Sequence, residues 1–205
     1  GHLLFEPWTV ATKTGGFYKV FTPMWRNVRD RDVGSAIPKV TALPGPERWP
    51  SSESLQDWDL GGDMNRGARI VSDYVGVGQD VAWDRLSVFL DERVDSYPRG
   101  RDFPAIPATS GLSENLAYGE ISPRQAWNAA QSALHQGRSG AETFLRELVW
   151  REFSYHLAWH TPHILTQNWK PDWDSFPWAT EGPQIERWQQ GRTGEPFVDA
   201  AMREM

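Results

Sequence analysis

Cysteine is absent from this chain of 205 residues. Its absence excludes disulfides, thiolate-held zinc, iron–sulfur ligation and a Cys–His nucleophile, and it suits a cytoplasmic protein. Long apolar runs are missing as well. Nothing is long enough to span a membrane, and no signal-peptide pattern opens the chain. Positive charge is short. The formal net charge is −6, so the chain as a whole is not a basic nucleic-acid binder, and any nucleic-acid site must be a local patch. The G-x-G-x-x-G, P-loop and H-E-x-x-H spacings do not occur, and no Ser–His–Asp arrangement follows from spacing. No Met begins the chain, which opens abruptly in GHLLFEPW and so reads as a piece of a longer protein.

What is abundant is tryptophan, with 12 in the chain. Such a density points to aromatic-lined pockets or interface packing, while the plainer reading, favoured by composition alone, is a Trp-rich core. Residues 3–10, LLFEPWTV, read as a short strand, residues 13–16 as a turn, and residues 16–21, GFYKVF, as the start of a further element. Thr22 to Arg31 suits a helix with Pro23 in its first turn. From Val33 to Gly67 the chain is interrupted by Pro38, Pro44, Pro46 and Pro50, and reads as a linker or wrapping segment. Helical patterns follow at Gly67–Tyr74 and Val81–Val94, then a Pro-rich loop from Asp95 to Ser113. Ser113 is a candidate cap for a short helix through Tyr118. Ser122, Pro123 and Gln125 announce a helix to Gln136. Ser139 and Glu142 repeat that signal before the longest periodic run, Ala141 to His160, which Pro162 ends. A loop rich in Trp and Pro, a short helix from Pro183 and a last helix from Pro196 complete the chain. In that last helix Val198, Ala201, Met202 and Met205 fall on one stripe.

The Ala141–His160 run organises the rest. Leu145, Val149, Phe153 and Leu157 form an apolar stripe. Phe144, Glu147, Trp150, Arg151 and Ser154 recur at helical spacing and form a second face that mixes acid, base and large aromatics. The plain reading is a buried helix with an i,i+4 Glu147–Arg151 ion pair. The sharper one is a helix lining a site, with Trp150 as a platform. Thr109-Ser110-Gly111-Leu112-Ser113 can be a phosphate cradle of small residues and hydroxyls at a helix start, or merely a capped turn. Glu152, His156, His160 and His163 could form a metal-binding stripe, or be helix-end histidines near the negative pole of the dipole.

Four stretches resemble the photolyase/cryptochrome flavoproteins, and in the family's order. FLRELVWREFSYHL at 144–157 resembles the active-site helix, and WQQGRTGEPFVDAAMREM at 188–205 the segment after it. RDFPAIPATSGLSENLAYGEISPRQ at 101–125 resembles the flavin-phosphate loop. FYKVFTPMW at 17–25 resembles the exit from the N-terminal antenna domain. The likeness is closest to bacterial cyclobutane-pyrimidine-dimer photolyases. It implies a mainly α fold and an internal fragment of such a protein. Residues 1–32 would leave an α/β antenna domain, 33–67 would be the interdomain linker, and 68–205 the truncated first part of the FAD-binding helical domain.

The resemblance also implies roles. Tyr97, Thr109, Ser110, Gly111, Leu112, Ser113, Phe144 and Arg151 would contact FAD, with the Thr109–Ser113 run at its phosphates. Glu147 would hydrogen-bond the pyrimidine dimer and Trp150 would stack on it; these two are the expected catalytic residues. Arg101, Glu147, Trp150 and Arg151 would meet DNA. Trp188 would be the outermost tryptophan of an electron relay, and no metal is expected. The implied reaction is light-driven repair, in which reduced FAD lends an electron that opens the cyclobutane ring. The partner would be DNA containing pyrimidine dimers, the intact protein monomeric and cytoplasmic, and no membrane is involved. Gly15–Gly16 and Glu195 depart from the family's pattern, and the first leaves open a folate- or flavin-type antenna chromophore. The rival readings are a cryptochrome-like light receptor and a helical metal-binding protein using Glu152, His156 and His160. The chain alone is expected to hold flavin weakly, self-associate and lack repair activity.

Overall fold

Ser122 accepts a hydrogen bond from the Gln125 N–H at 3.2 Å, and the Gln125 side chain accepts one from the Ser122 N–H at 2.8 Å. This reciprocal cap, with Pro at the first helical position, starts α6 at Pro123–His135. The computed structural model to which it belongs describes residues 2–38, 40–62 and 66–204. Its other α-helices, in chain order, are α1 (Phe21–Val28), α2 (Arg66–Val71), α3 (Gln79–Val88), α4 (Tyr97–Gly100), α5 (Ser113–Ala117), α7 (Ala141–His160), α8 (Pro183–Gln189) and α9 (Pro196–Glu204). The fold is mainly α, and no strand occurs among the described residues. The chain divides into two compact units, Gly1–His160 and Thr161–Met205.

In the first unit α6 packs on α7 across a short turn. The α6 face is narrow, made of Ala126, Ala130 and Ala133, with Trp127 beside them. Small side chains there let α7, with Phe144, Leu145, Leu148 and Val149 among its buried residues, pack closely on α6. Each large apolar side chain buried this way contributes about 1.5–3 kcal/mol. The turn is completed by Gly140, where an added Cβ would lie 1.8 Å from the Val94 carbonyl oxygen. The second capping box, expected between Ser139 and Glu142, is not made; a backbone bond from Glu142 N–H to Ser139 O starts α7 instead. The helix expected over Val81–Val94 is α3 followed by a π turn, Phe89–Arg93, in which Val94 N–H reaches back to Phe89 O. That extra residue per turn leaves Phe89, Leu90 and Val94 all buried.

The strand expected over residues 3–10 does not form, and the element expected to start at 16–21 is helix α1, which begins at Phe21. Residues 7–9 form a 3-10 turn, and residues 4–5 and 19–20 are bends. The reason is where their polar and apolar groups go. The N–H groups of Leu4 and Phe5 donate to the Glu152 carboxylate, at 2.8 and 3.2 Å, and the Tyr18 N–H donates to His156 Nε2 at 3.1 Å. Leu4, Phe5 and Val10 are buried in the same core as α1, α6 and α7. A segment satisfied by helix side chains needs no strand partner.

Residues 33–62 carry little of the core. Ile37, Val40, Leu43, Trp49, Leu55, Trp58 and Leu60 are all exposed, and Leu55–Trp58 makes one 3-10 turn. Lys39 and residues 63–65 of the expected linker lie outside the described residues. The second unit holds two 3-10 turns, Pro162–Leu165 and Pro171–Ser175, and then α8 and α9. Asp199, near the start of α9, accepts from the N–H and hydroxyl of Thr193 and from the Gly194 N–H, at 2.7, 2.6 and 3.0 Å. These bonds, the Thr193 hydroxyl first, lower the Asp199 pKa. The expected stripe on α9 does not form a buried face: Val198 and Ala201 are exposed and Met202 is half-buried. Met205 lies outside the described residues.

Candidate functional site

Helix α7 presents Phe144, Glu147, Leu148, Arg151 and Tyr155 along one side, at spacings of three and four residues. Facing them are Tyr97 on α4, the Thr109–Ser113 turn, and Leu116 and Ala117 on α5. Together they enclose a pocket of about 500 Å³, within the usual range for small-molecule sites. The turn owes its shape to Gly111, whose φ of 63° is in the left-handed region that favours glycine. Leu112, not Ser113, occupies the N-cap position of α5, and it makes no side-chain cap bond. Ser113 is therefore the first helical residue, with its side chain exposed. Behind the turn, Gly100 keeps the chain folded back; a Cβ there would lie 2.6 Å from that of Ala108.

The pocket has an apolar wall and a charged rim. Phe144 and Leu148 are nearly fully buried, and Phe144 is in contact with Phe89 and Tyr97. At the rim Glu147 is ion-paired with Arg101, whose guanidinium also lies 5.6 Å from the centre of the Tyr97 ring. The Glu147 bond holds the Arg101 pKa above its ordinary value, and burial raises that of the Tyr97 phenol. The i,i+4 pair expected between Glu147 and Arg151 is not made. Arg151 instead donates to Glu152 Oε1 at 3.0 Å and to the His2 carbonyl at 2.8 Å, and lies over the Tyr155 ring at 5.0 Å.

Every residue expected around the flavin thus lines one pocket: Tyr97, Thr109 to Ser113, Phe144 and Arg151, with Glu147 beside them. Trp150 does not line it. About 115° round the helix from the centre of the pocket face, Trp150 stacks on Phe21 with ring centroids 3.8 Å apart and planes 5° apart. It is 42% exposed. Trp188 lies on α8 of the second unit and is half exposed. Tyr155, Leu116 and Leu148 were not singled out by sequence. Tyr155 follows Arg151 by four residues, and carrying the periodicity one turn further finds it.

Glu152, His156 and His160 share a side of α7, but each is held by the N-terminal segment, and only His156 Nδ1 among the buried side-chain N and O atoms of the described residues has no hydrogen-bond partner. Glu152 takes the Leu4 and Phe5 N–H groups, His156 that of Tyr18, and His160 Nε2 lies 3.3 Å from Pro7 O. No cluster able to hold a metal ion occurs among the described residues. The metal-binding reading falls on this geometry. Burial pushes the Glu152 carboxyl up to about 7 and lowers the His156 pKa.

Residues 144–205 match a family described as the FAD binding domain of DNA photolyase. The whole chain is 42% identical to a deoxyribodipyrimidine photo-lyase of Agrobacterium fabrum, and 99% of it is 32% identical to that of Escherichia coli. It spans 43% of the length of each. Among solved structures, a bacterial class III photolyase from Agrobacterium tumefaciens matches all of the chain and 43% of its own, with a TM-score of 0.91 and 40% identity. The likeness in sequence and in fold thus runs through the helix and the turn that form the pocket, and it is a likeness to DNA photolyases over less than half of their length.

Proposed function

We propose that this chain carries the substrate-facing part of a light-driven DNA repair enzyme that reverses cyclobutane pyrimidine dimers and binds FAD in the α7 pocket. The observation that carries the reading is the convergence of Tyr97, Thr109–Ser113, Phe144 and Arg151 on one pocket. Its donor set suits FAD. Hydroxyls and backbone N–H groups of a glycine turn at a helix start suit a diphosphate, and Phe144, Leu148 and Leu116 suit flat rings. When bound, reduced FAD supplies the electron that opens the cyclobutane ring and takes it back.

The protein's part is binding and geometry. An enzyme of this kind draws the damaged nucleotides out of the duplex. Glu147 hydrogen-bonds the polar edge of the dimer, and Trp150 offers the ring face opposite Phe21 for stacking. Arg101 and Arg151 supply the local positive charge that the acidic chain otherwise lacks. Trp188 belongs to an electron relay. In the family's domain plan, residues 1–32 leave an α/β antenna domain with its own chromophore, 33–67 form the linker, and 68–205 belong to the FAD-binding helical domain. The enzyme is monomeric and cytoplasmic; among the described residues no helix is long and apolar enough to cross a membrane.

The test is repair by the natural full-length protein. Blue light should remove dimers from an oligonucleotide, and Glu147→Ala should slow repair while leaving the flavin bound. Flavin-loaded protein that leaves dimers intact under light overturns the reading.

A further inference from the structure

A partly buried polar network lies behind the Thr109–Ser113 turn and, apart from Gly111, is built on residues with no role in the reading above. Its centre is Arg85 of α3. The Arg85 Nη1 atom donates to Gly111 O at 3.0 Å and to Asn115 Oδ1 at 2.9 Å, and it is ion-paired with Glu114. Asn115 is completely buried. Its Nδ2 donates to Gly76 O at 3.0 Å and to Glu120 Oε2 at 2.6 Å, and Glu120 Oε1 in turn accepts from the Gly78 N–H at 2.8 Å. Gly76 lies against the guanidinium itself: a Cβ there would come within 2.9 Å of Arg85 Nη2. The Arg85 head is therefore held on several sides.

What this network grips is the pocket turn. Gly111 sits at positive φ, a conformation open to rotation of the following peptide. Because the peptide unit is planar and trans, fixing the Gly111 oxygen also fixes the Leu112 N–H, which points the opposite way. Arg85 is not part of the pocket lining, whereas Gly111 and Leu112 are. The Arg85 charge is balanced by Glu114, so its effect on a ligand is geometric more than Coulombic.

We propose that Arg85 is a positioning residue for the anion-binding turn. By holding the Gly111 carbonyl it aims the 111–112 peptide N–H at the diphosphate of the dinucleotide. The proposal rests on the reading of the pocket as the FAD site. Without Arg85 the peptide is free to rotate and the buried Asn115 Oδ1 loses a donor, so diphosphate recognition weakens while ring binding is spared.

The experiment compares FAD with riboflavin, which lacks the phosphates, on the flavin-free full-length protein. Wild type should prefer FAD. Arg85→Ala should weaken FAD by about tenfold, the worth of one charged hydrogen bond, and leave riboflavin affinity within about twofold of wild type. Arg85→Gln, which keeps a polar stem but cannot span Gly111, Glu114 and Asn115 together, provides a second variant with the same expected loss. An unchanged preference for FAD in either folded variant overturns the positioning role, and so does an equal loss of FAD and riboflavin. A wild-type protein with no preference for FAD overturns the pocket reading itself, and the role of Arg85 with it.

Discussion

Trp150 shows how a residue type can be legible while its surroundings are not. Its spacing from Glu147 and Arg151 puts it on the right helix, but not on the pocket wall. The partner that fixes its plane, Phe21, is 129 positions away in sequence and no local pattern announces it. The stack against Phe21 leaves Trp150 flat and partly open, a geometry suited to accepting a base. Trp150→Ala in the full-length protein should weaken binding to dimer-containing DNA by about 1–3 kcal/mol, the usual worth of base–aromatic stacking. Gel-shift or fluorescence titration of the folded variant measures it, and wild-type affinity would remove Trp150 from the substrate site. The ion pairs teach the same lesson. Glu147 and Arg151 are the natural i,i+4 couple, yet each finds a partner elsewhere, Arg101 across the pocket rim and Glu152 next in the chain. Arg101→Ala should flatten the salt dependence of DNA binding by about one phosphate's share. An identical slope in wild type and variant would contradict a phosphate contact.

At the scale of elements, α7 was readable in extent and in apolar stripe because 3.6-residue periodicity is local. The N-terminal segment was not, because an extended apolar run looks the same whether it pairs with a strand or lies on a helix. Glu152 and His156 decide between the two, and they act through backbone groups more than 130 residues away. The π turn at Phe89–Arg93 has no sequence signal at all. Glu152 also makes the docking of this segment sensitive to pH. Its folded pKa of about 7 lies above its ordinary value of 4.5, because burial outweighs the two N–H donors and Arg151. The native state therefore holds the proton more tightly than the unfolded chain. The Glu152 contribution falls as pH rises from 4.5 to 7 and is constant above that. His156, lowered by burial, acts in the opposite sense and is destabilising as pH falls below 6.5. Glu152→Gln keeps an acceptor for Leu4 and Phe5 but cannot ionise. Its stability advantage over wild type should grow through that window to a ceiling of roughly 3 kcal/mol. Urea unfolding at several pH values measures this, and a difference independent of pH would contradict it.

For the molecule as a whole, the family likeness was legible from four motifs in order, since each carries residues whose chemistry is tied to one task. The pocket assembled from two of those motifs, through the 109–113 turn with the start of α5 and through α7, together with Tyr97 of α4, without any long-range signal in the sequence. What stayed illegible was the support behind it, the Arg85–Asn115 network, whose centre, Arg85, lies outside all four motifs. The apolar side chains exposed between residues 37 and 60 lead to an expectation for the 205-residue chain on its own: patches of this kind drive association. Sedimentation should show self-association as concentration rises, and a monomer throughout would contradict it. The central claim, that the Thr109–Ser113 turn receives the diphosphate of FAD, has a more direct test in Ser113→Glu. Ser113 is exposed at the first position of α5, where a carboxylate favours the helix dipole and leaves folding intact. The same carboxylate would face the diphosphate at close range, where two like charges repel by a few kcal/mol. Equilibrium titration of the full-length protein with FAD should show affinity reduced by more than about tenfold with no loss of thermal stability. FAD bound as tightly as by wild type would contradict the account.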